Sequence, residues 1–407
     1  MHNSFPLTKT RRSTAGCGAY PNASSNNSPQ CARSSYVRRR CKNSVPNRRS
    51  TATAGESVVD LSARSHQRKM SLKLNSQGEP ARANVLPGAL AACVARALAR
   101  ALFRRRKLPF AVSDSSRSIA ALRAIETEGR GAGDPAPLFA DPFAAALAGE
   151  AALARVRARG GAGDNGRIAI RTRFFDDAVK DALARCDDGK GPWQVVLLGA
   201  GLDTRAWRLA PPASAPKARA VFEVDVREVL DAKQALLRGE PLTLAESYAA
   251  VRSNLNVPRD ARGGWAAALR RAGHDPSLRT AWLLEGLLYY LEPRVVDDVL
   301  RGTARMSANG STLVASVVNR ASLRRATSGA KTSKKKKSAK SAWASHCDAP
   351  EREFAETGWE TRTVAQPGDP SADYGRWRGA PPPPREGGDD ETPRTFYVVC
   401  DAKARHE

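Results

Sequence analysis

Residues 194–198 (QVVLL) form an unbroken apolar run that stops at Gly199. Ala200 and Gly201 complete a turn, and Asp203-Thr204 can cap a helix behind it. Downstream, the apolar Ala220-Val221-Phe222 ends on Glu223 and Asp225, which face one side because they stand two apart on a strand. Strand, glycine turn, helix, strand, acid is the order in which an α/β sheet holds a nucleoside. The glycines let backbone approach the ligand, and a carboxylate accepts hydrogen bonds from ribose hydroxyls. A Cβ at Gly199 or Gly201 would strike the ligand or forbid the turn. Turn geometry alone also accounts for the glycines, and a surface position for the acids.

The same residues exclude some phosphate ligands. A dinucleotide fingerprint needs a small residue three positions after Gly201, where this chain has Thr204, and no Gly-Lys-Ser/Thr of a phosphate loop follows. A nicotinamide-dependent oxidoreductase is thereby disfavoured. Farther on, Leu283-Leu284 runs into Glu285, and a carboxylate closing an apolar strand is costly unless it meets a cation. Tyr289 and Tyr290 follow one helical turn later and either face the ligand or pack in the core.

These segments sit in a recognisable series: residues 116–124, 138–144 and 171–176, then Leu198-Gly199-Ala200-Gly201-Leu202-Asp203-Thr204-Arg205. Phe222-Glu223-Val224-Asp225 with Lys233, Glu285-Gly286-Leu287-Leu288-Tyr289-Tyr290-Leu291, Gly358-Trp359-Glu360 and Tyr374-Gly375-Arg376 complete it. From about residue 115 to 402 the chain resembles S-adenosylmethionine-dependent methyltransferases related to leucine carboxyl methyltransferase, including the bacterial branch of unassigned substrate. The resemblance implies an α/β fold of the class I methyltransferase type: a Rossmann-like, doubly wound, seven-stranded sheet with an N-terminal helical lid. It implies S-adenosyl-L-methionine as cofactor, with Gly199, Ala200 and Gly201 along it and Asp225 on the ribose. Arg173 would take the methionine carboxylate and Glu285 its ammonium. Asn254-Leu255 would contact the adenine end; here the family usually has Asp-Leu, so the chain departs from the pattern. The implied reaction is methyl transfer to an oxygen, carboxylate or hydroxyl, of a small-molecule acceptor. A carboxylate needs no base, and none of the five histidines is well placed to serve a hydroxyl. A protein carboxyl terminus as acceptor is the less favoured variant, and an inactive relative that only binds is the alternative from another class.

The elements that must position these residues alternate. Apolar runs place strands over 194–198, 218–224, 249–255, 280–285, 311–317, 360–365 and 395–401, with helices over 226–238, 264–272 and 293–306. Alternation predicts a parallel sheet covered on both faces, with the last two strands able to pair as a hairpin. Three helices precede the sheet, over 115–128, about 141–156 and about 167–186, and would cover the ligand.

The net charge of +25 belongs to appendages. Residues 1–107 carry 21 Lys/Arg against 3 Asp/Glu, and residues 320–340 carry nine cations and no acid, so the remainder is close to neutral. A nucleic-acid enzyme would bear such charge on its own face, so no nucleic-acid partner is expected. Residues 1–112 read as a disordered basic extension, 113–407 as the catalytic domain, and 320–345 as a flexible Lys-rich insertion within it. The first 55 residues contain no acid, which fits a chloroplast or mitochondrial transit peptide; a basic tail on a cytoplasmic protein is the alternative. No apolar run is long enough to span a bilayer. Seven cysteines form no Cys-x-x-Cys pair and no metal-ligand spacing with histidine, so free thiols and no metal are expected. Oligomeric state is left open.

Overall fold

The central strands are mainly apolar and buried at every position because helices cover both faces of the sheet. The computed structural model describes residues 113–129, 136–159, 164–185, 193–328, 342–385 and 391–403. The extension over 1–112 lies outside the described residues. Seven strands, β1 (Gln194–Leu198), β2 (Ala218–Asp225), β3 (Ala245–Arg252), β4 (Thr280–Leu284), β5 (Thr312–Val318), β6 (Trp359–Ala365) and β7 (Thr395–Ala402), form one sheet in the order β3-β2-β1-β4-β5-β7-β6. The pairings β1–β2, β1–β4, β2–β3 and β4–β5 are parallel. β7 is antiparallel to both its neighbours, so the expected terminal hairpin forms with β7 inserted between β5 and β6.

The chain winds outward from β1 to β3 and then returns to place β4 on β1's other side, so strand order reverses between β1 and β4. A crevice opens at the carboxyl ends of strands flanking such a reversal. On β1, Val196 and Leu198 point into one core with Trp265, Trp282 and Val299, while Val195 and Leu197 point into another with Phe175, Val179 and Leu183. That division is the two-residue period of a strand buried on both faces.

Among the described residues four helices precede the sheet: α1 (Asp114–Glu128), α2 (Ala144–Ala148), α3 (Glu150–Ala158) and α4 (Arg167–Ala184). Ser113 caps α1, its hydroxyl accepting from the Ser116 N–H at 3.2 Å. The helix expected over 141–156 is two, because Gly149 adopts φ +75° and ends α2. α5 (Arg205–Arg208), α6 (Arg227–Leu237), α7 (Trp265–Arg271), α8 (Pro293–Arg305), α9 (Arg320–Ser328) and α10 (Pro350–Ala355) complete the fold. The stretch expected as a flexible insertion therefore opens with helix α9, and its lysines at 331–340 lie outside the described residues.

A small-residue cluster seats α1–α3 on the body: Ala120, Ala121, Ala124, Ala144 and Leu147 pack with Leu202 of the glycine turn and Leu236 of α6. Alanine is the residue type that lets helices approach this closely, and the contact brings α1 over the crevice.

Candidate active site

The crevice between β1 and β4 is a cleft of about 170 Å³, against about 30 Å³ for a second cavity beneath Tyr289, which is room for little beyond water. Gly199, Ala200, Gly201 and Asp203 form one wall, Glu285, Gly286, Tyr289 and Tyr290 another. Ser115, Ser116, Ile119 and Arg123 come from α1, and Arg171 from α4. Gly199 has φ +63°, and a Cβ there would lie 2.6 Å from Leu287 Cδ1. Gly201 has φ +49°, and its missing Cβ would face nothing nearer than Gly199 O at 3.8 Å, so that space is left for a ligand.

Two guanidinium groups grip the acid that closes β4. Arg171 Nε donates to Glu285 Oε1 at 2.8 Å, and Arg205 Nη1 donates to Oε2 at 2.7 Å. Burial works against ionisation of Glu285, but Arg205 and Arg171 outweigh it and hold the carboxyl down at about 2. Arg205 also donates to Asp176 at 2.7 Å and contacts Asp203, and burial of its charge is overcome by these acids, so it stays protonated. Arg208 binds Asp176 as well, at 2.7 and 2.9 Å. Glu285 thus already has two cationic partners.

Arg173 does not enter this cleft. Two positions from Arg171, it points to the other side of α4, donates to Asp177 at 2.8 Å, and lies 5.5 Å from the centre of the Tyr374 ring. Arg171 lies along the buried stripe with Ile168 and Phe175, and that periodicity marks it in the sequence as the inward-facing arginine. Arg205, which ends the Leu198–Arg205 motif, and the α1 serines also contribute, roles that the sequence alone does not assign.

Asp225 sits at the turn's edge. Its Oδ2 accepts from the Gly201 N–H and its Oδ1 from the Val226 N–H, both at 2.7 Å; burial raises its carboxyl despite those two donors. Asn254 and Leu255 do not line the cleft. β3 ends at Arg252, three residues before the end of the strand expected over 249–255; the exposed Asn254 uses its Oδ1 to accept from Asn256 N–H at 2.9 Å. Leu255 packs into the core beside Val251 and Trp265. The structure therefore brings together Gly199, Ala200, Gly201 and Glu285, sets Asp225 beside them, and leaves Arg173, Asn254 and Leu255 outside.

Glu223 lies fully buried beneath the turn. Lys233 Nζ is 2.6 Å from Glu223 Oε2, to which Tyr248 OH also donates at 2.7 Å, and the same Nζ donates to the Asp203 carbonyl at 3.1 Å. This ties α6 and β2 to the loop that carries the glycines. Among the described residues no group of three His, Cys, Asp or Glu side chains is placed to hold a metal ion.

The leucine carboxyl methyltransferase family profile matches residues 117–304, which spans the lid, the cleft and β1–β4. A Frankia alni protein assigned to the S-adenosyl-L-methionine-dependent methyltransferases is 35% identical over 279 residues, covering 66% of this chain and 89% of that one. The chain belongs to this methyltransferase family. A Streptomyces coelicolor protein of the same assignment is 35% identical over 265 residues, covering 62% and 84% of the two chains. A crystal structure of a DUF574 family protein from Streptomyces avermitilis covers 71% of this methyltransferase and 97% of its own chain, at TM-score 0.41 and 17% identity. S-adenosyl-L-methionine is the cofactor of the family, and the cleft suits it. Space at Gly201 admits a ligand against backbone, Asp225 stands beside it with an acceptor carboxylate, and Arg171 offers a cation where an amino-acid carboxylate needs one.

Proposed function

We propose that this methyltransferase transfers its methyl group to a carboxylate oxygen of a small molecule. The observation that carries the reading is that both carboxylates on the cleft wall are committed to arginines, Asp203 to Arg205 and Glu285 to Arg171 and Arg205. Glu285 is pinned between Arg171 and Arg205 and held down at about 2. Tyr289 is pushed up by burial and stays protonated. His274 lies elsewhere, buried against Thr280 at 3.1 Å, and His346 lines the second cavity. A hydroxyl acceptor needs a group to take its proton, whereas a carboxylate arrives as an anion.

In this reading Gly199–Gly201 carry the nucleoside end and Asp225 accepts from the ribose. Arg171, in place of Arg173, pairs with the amino-acid carboxylate of the cofactor. Glu285 orients Arg171 and takes the ammonium on its remaining lone pairs. The cofactor, when bound, supplies an electrophilic methyl on a sulfonium, which an anionic oxygen takes without losing a proton. The protein's share is positioning and exclusion of water by α1 and the turn at 286–290.

The test is transfer of isotope-labelled methyl from the cofactor into cell extract, with mass spectrometry of the labelled product. Label on a small molecule that mild alkali releases as methanol is expected. Alkali-stable label would remove the carboxylate, and label in the protein fraction would remove the small molecule.

A further inference from the structure

Among the cleft residues given no cofactor contact, Ser115, Ser116 and Ile119 come from α1, and Tyr289 and Tyr290 from the turn after β4. Tyr290 is the large apolar side chain that stands exposed among the described residues, at 37%. It lines the cleft, and two other rings pack against it. Tyr289 lies 4.9 Å from it, centre to centre, and Trp343 closes the group at 4.7 Å from Tyr289 and 6.5 Å from Tyr290, edge-on to the latter. These are the separations at which aromatic rings attract by offset and edge-to-face contact.

The group is also fixed by backbone. Ala344 N–H donates to the Tyr289 carbonyl at 2.8 Å, and Ser345 Oγ donates to the Leu288 carbonyl at 2.8 Å. The residues just after Trp343 are thereby stitched to the turn that follows β4, which carries Glu285. An exposed tyrosine would ordinarily be free to swing; this one is one ring of a braced trio at the mouth of the cofactor cleft. The facing wall offers one branched apolar side chain and two hydroxyls. A slot of that make-up suits a flat, apolar body with a polar end, and a π-surface best matches a rigid aromatic one.

We infer that Tyr290, braced by Tyr289 and Trp343, forms an acceptor subsite for aromatic carboxylic acids. The inference rests on the carboxylate reading above and names the class of acid it takes. Ring stacking on Tyr290 holds the acceptor, and the α1 serines face its polar end.

The test compares trans-cinnamate with 3-cyclohexylpropionate, which keeps the chain and carboxylate but replaces the flat ring with a puckered one. Binding of each acid to the full chain is measured by calorimetry with saturating S-adenosylhomocysteine. Cinnamate is expected to bind about fivefold tighter, which corresponds to about 1 kcal/mol of ring contact. Tyr290→Ala and Trp343→Ala should abolish the difference and Tyr290→Phe should keep it, each measured with the cleft saturated by S-adenosylhomocysteine. Equal affinity of the two acids in the wild type, absence of cinnamate binding, or a preference that survives Tyr290→Ala would overturn the subsite. Failure of the carboxylate reading looks different: cinnamate binds with the stated preference, yet labelled methyl is recovered only in alkali-stable products.

Discussion

At the scale of single residues, Arg171 and Arg173 show how two positions decide a role. Both sit on α4, but a two-residue step turns the helix by about 200°, so one guanidinium enters the cleft and the other meets Asp177 outside it. Arg171→Ala is expected to weaken cofactor binding by about 2 kcal/mol or more, because a buried charge pair loses one partner. Arg173→Ala should leave cofactor affinity within about twofold, since its pair with Asp177 is half-exposed. Calorimetric titration with S-adenosylhomocysteine separates the two, and equal losses would contradict the assignment. His274 makes a second residue-scale prediction, in pH. Burial lowers it from 6.5 to about 4, so between those values the unfolded chain binds a proton that the folded one does not. Stability is then full above pH 6.5 and falls as pH drops toward 4, by about 3 kcal/mol at most. His274→Phe should flatten that decline in urea midpoints measured from pH 7 to pH 4.5. Glu285 adds an acid limb below this window: held at about 2 against an ordinary 4.5, it contributes stability above 4.5 that is lost as pH falls to 2.

At the scale of elements, the lid is bolted to the glycine turn through one acid. Asp141, fully buried at the entry to α2, accepts from Arg123 Nε of α1 and from Thr204 Oγ1, both at 2.8 Å. Arg123 in turn donates to the Leu202 carbonyl at 2.6 Å. Asp141→Asn leaves Arg123 and Arg208 facing a neutral group in a buried site. Destabilisation of about 3–5 kcal/mol is expected, with cofactor affinity reduced as α1 loosens. Thermal melts with and without S-adenosylhomocysteine measure both, and an unchanged melt would show that the lid docks by its alanines alone. How far such elements were legible depends on what specifies them. β1, β2, β4, β5, β6 and β7 were readable to within a residue at most ends, the central ones as mainly apolar runs between turn residues, although the edge strand β6 mixes polar with apolar residues. β3 lies at the sheet edge and mixes polar with apolar residues, so its observed span, Ala245–Arg252, begins four positions before the apolar signal. The expected Asn254-Leu255 contact moved with it. The glycine turn and Glu285 were visible because their chemistry is local. Arg205, Arg123 and Asp141 lie within the quoted motifs, but their pairing was not legible, because a buried charge network is made by partners far apart in the chain.

At the scale of the whole molecule, charge and chemistry are kept apart. The described cleft residues begin at Ser115, while the acid-free basic stretch ends well before them, and no described helix is long and apolar enough to cross a membrane. Residues 1–107 and 320–340 carry +18 and +9, which leaves the rest of the chain, at −2, close to neutral. We propose that the leader serves as an address, a chloroplast or mitochondrial one, and that catalysis does not use it. Two measurements on the same deletion decide this. Removing residues 1–112 should leave S-adenosylhomocysteine affinity within about twofold, since no assigned contact is lost. Residues 1–112 fused to a fluorescent reporter should carry it into an organelle. A diffuse cytosolic signal would reject the address, and a tenfold loss of affinity on deletion would mean that the basic stretch contributes to the site, in which case the separation of charge from chemistry does not hold.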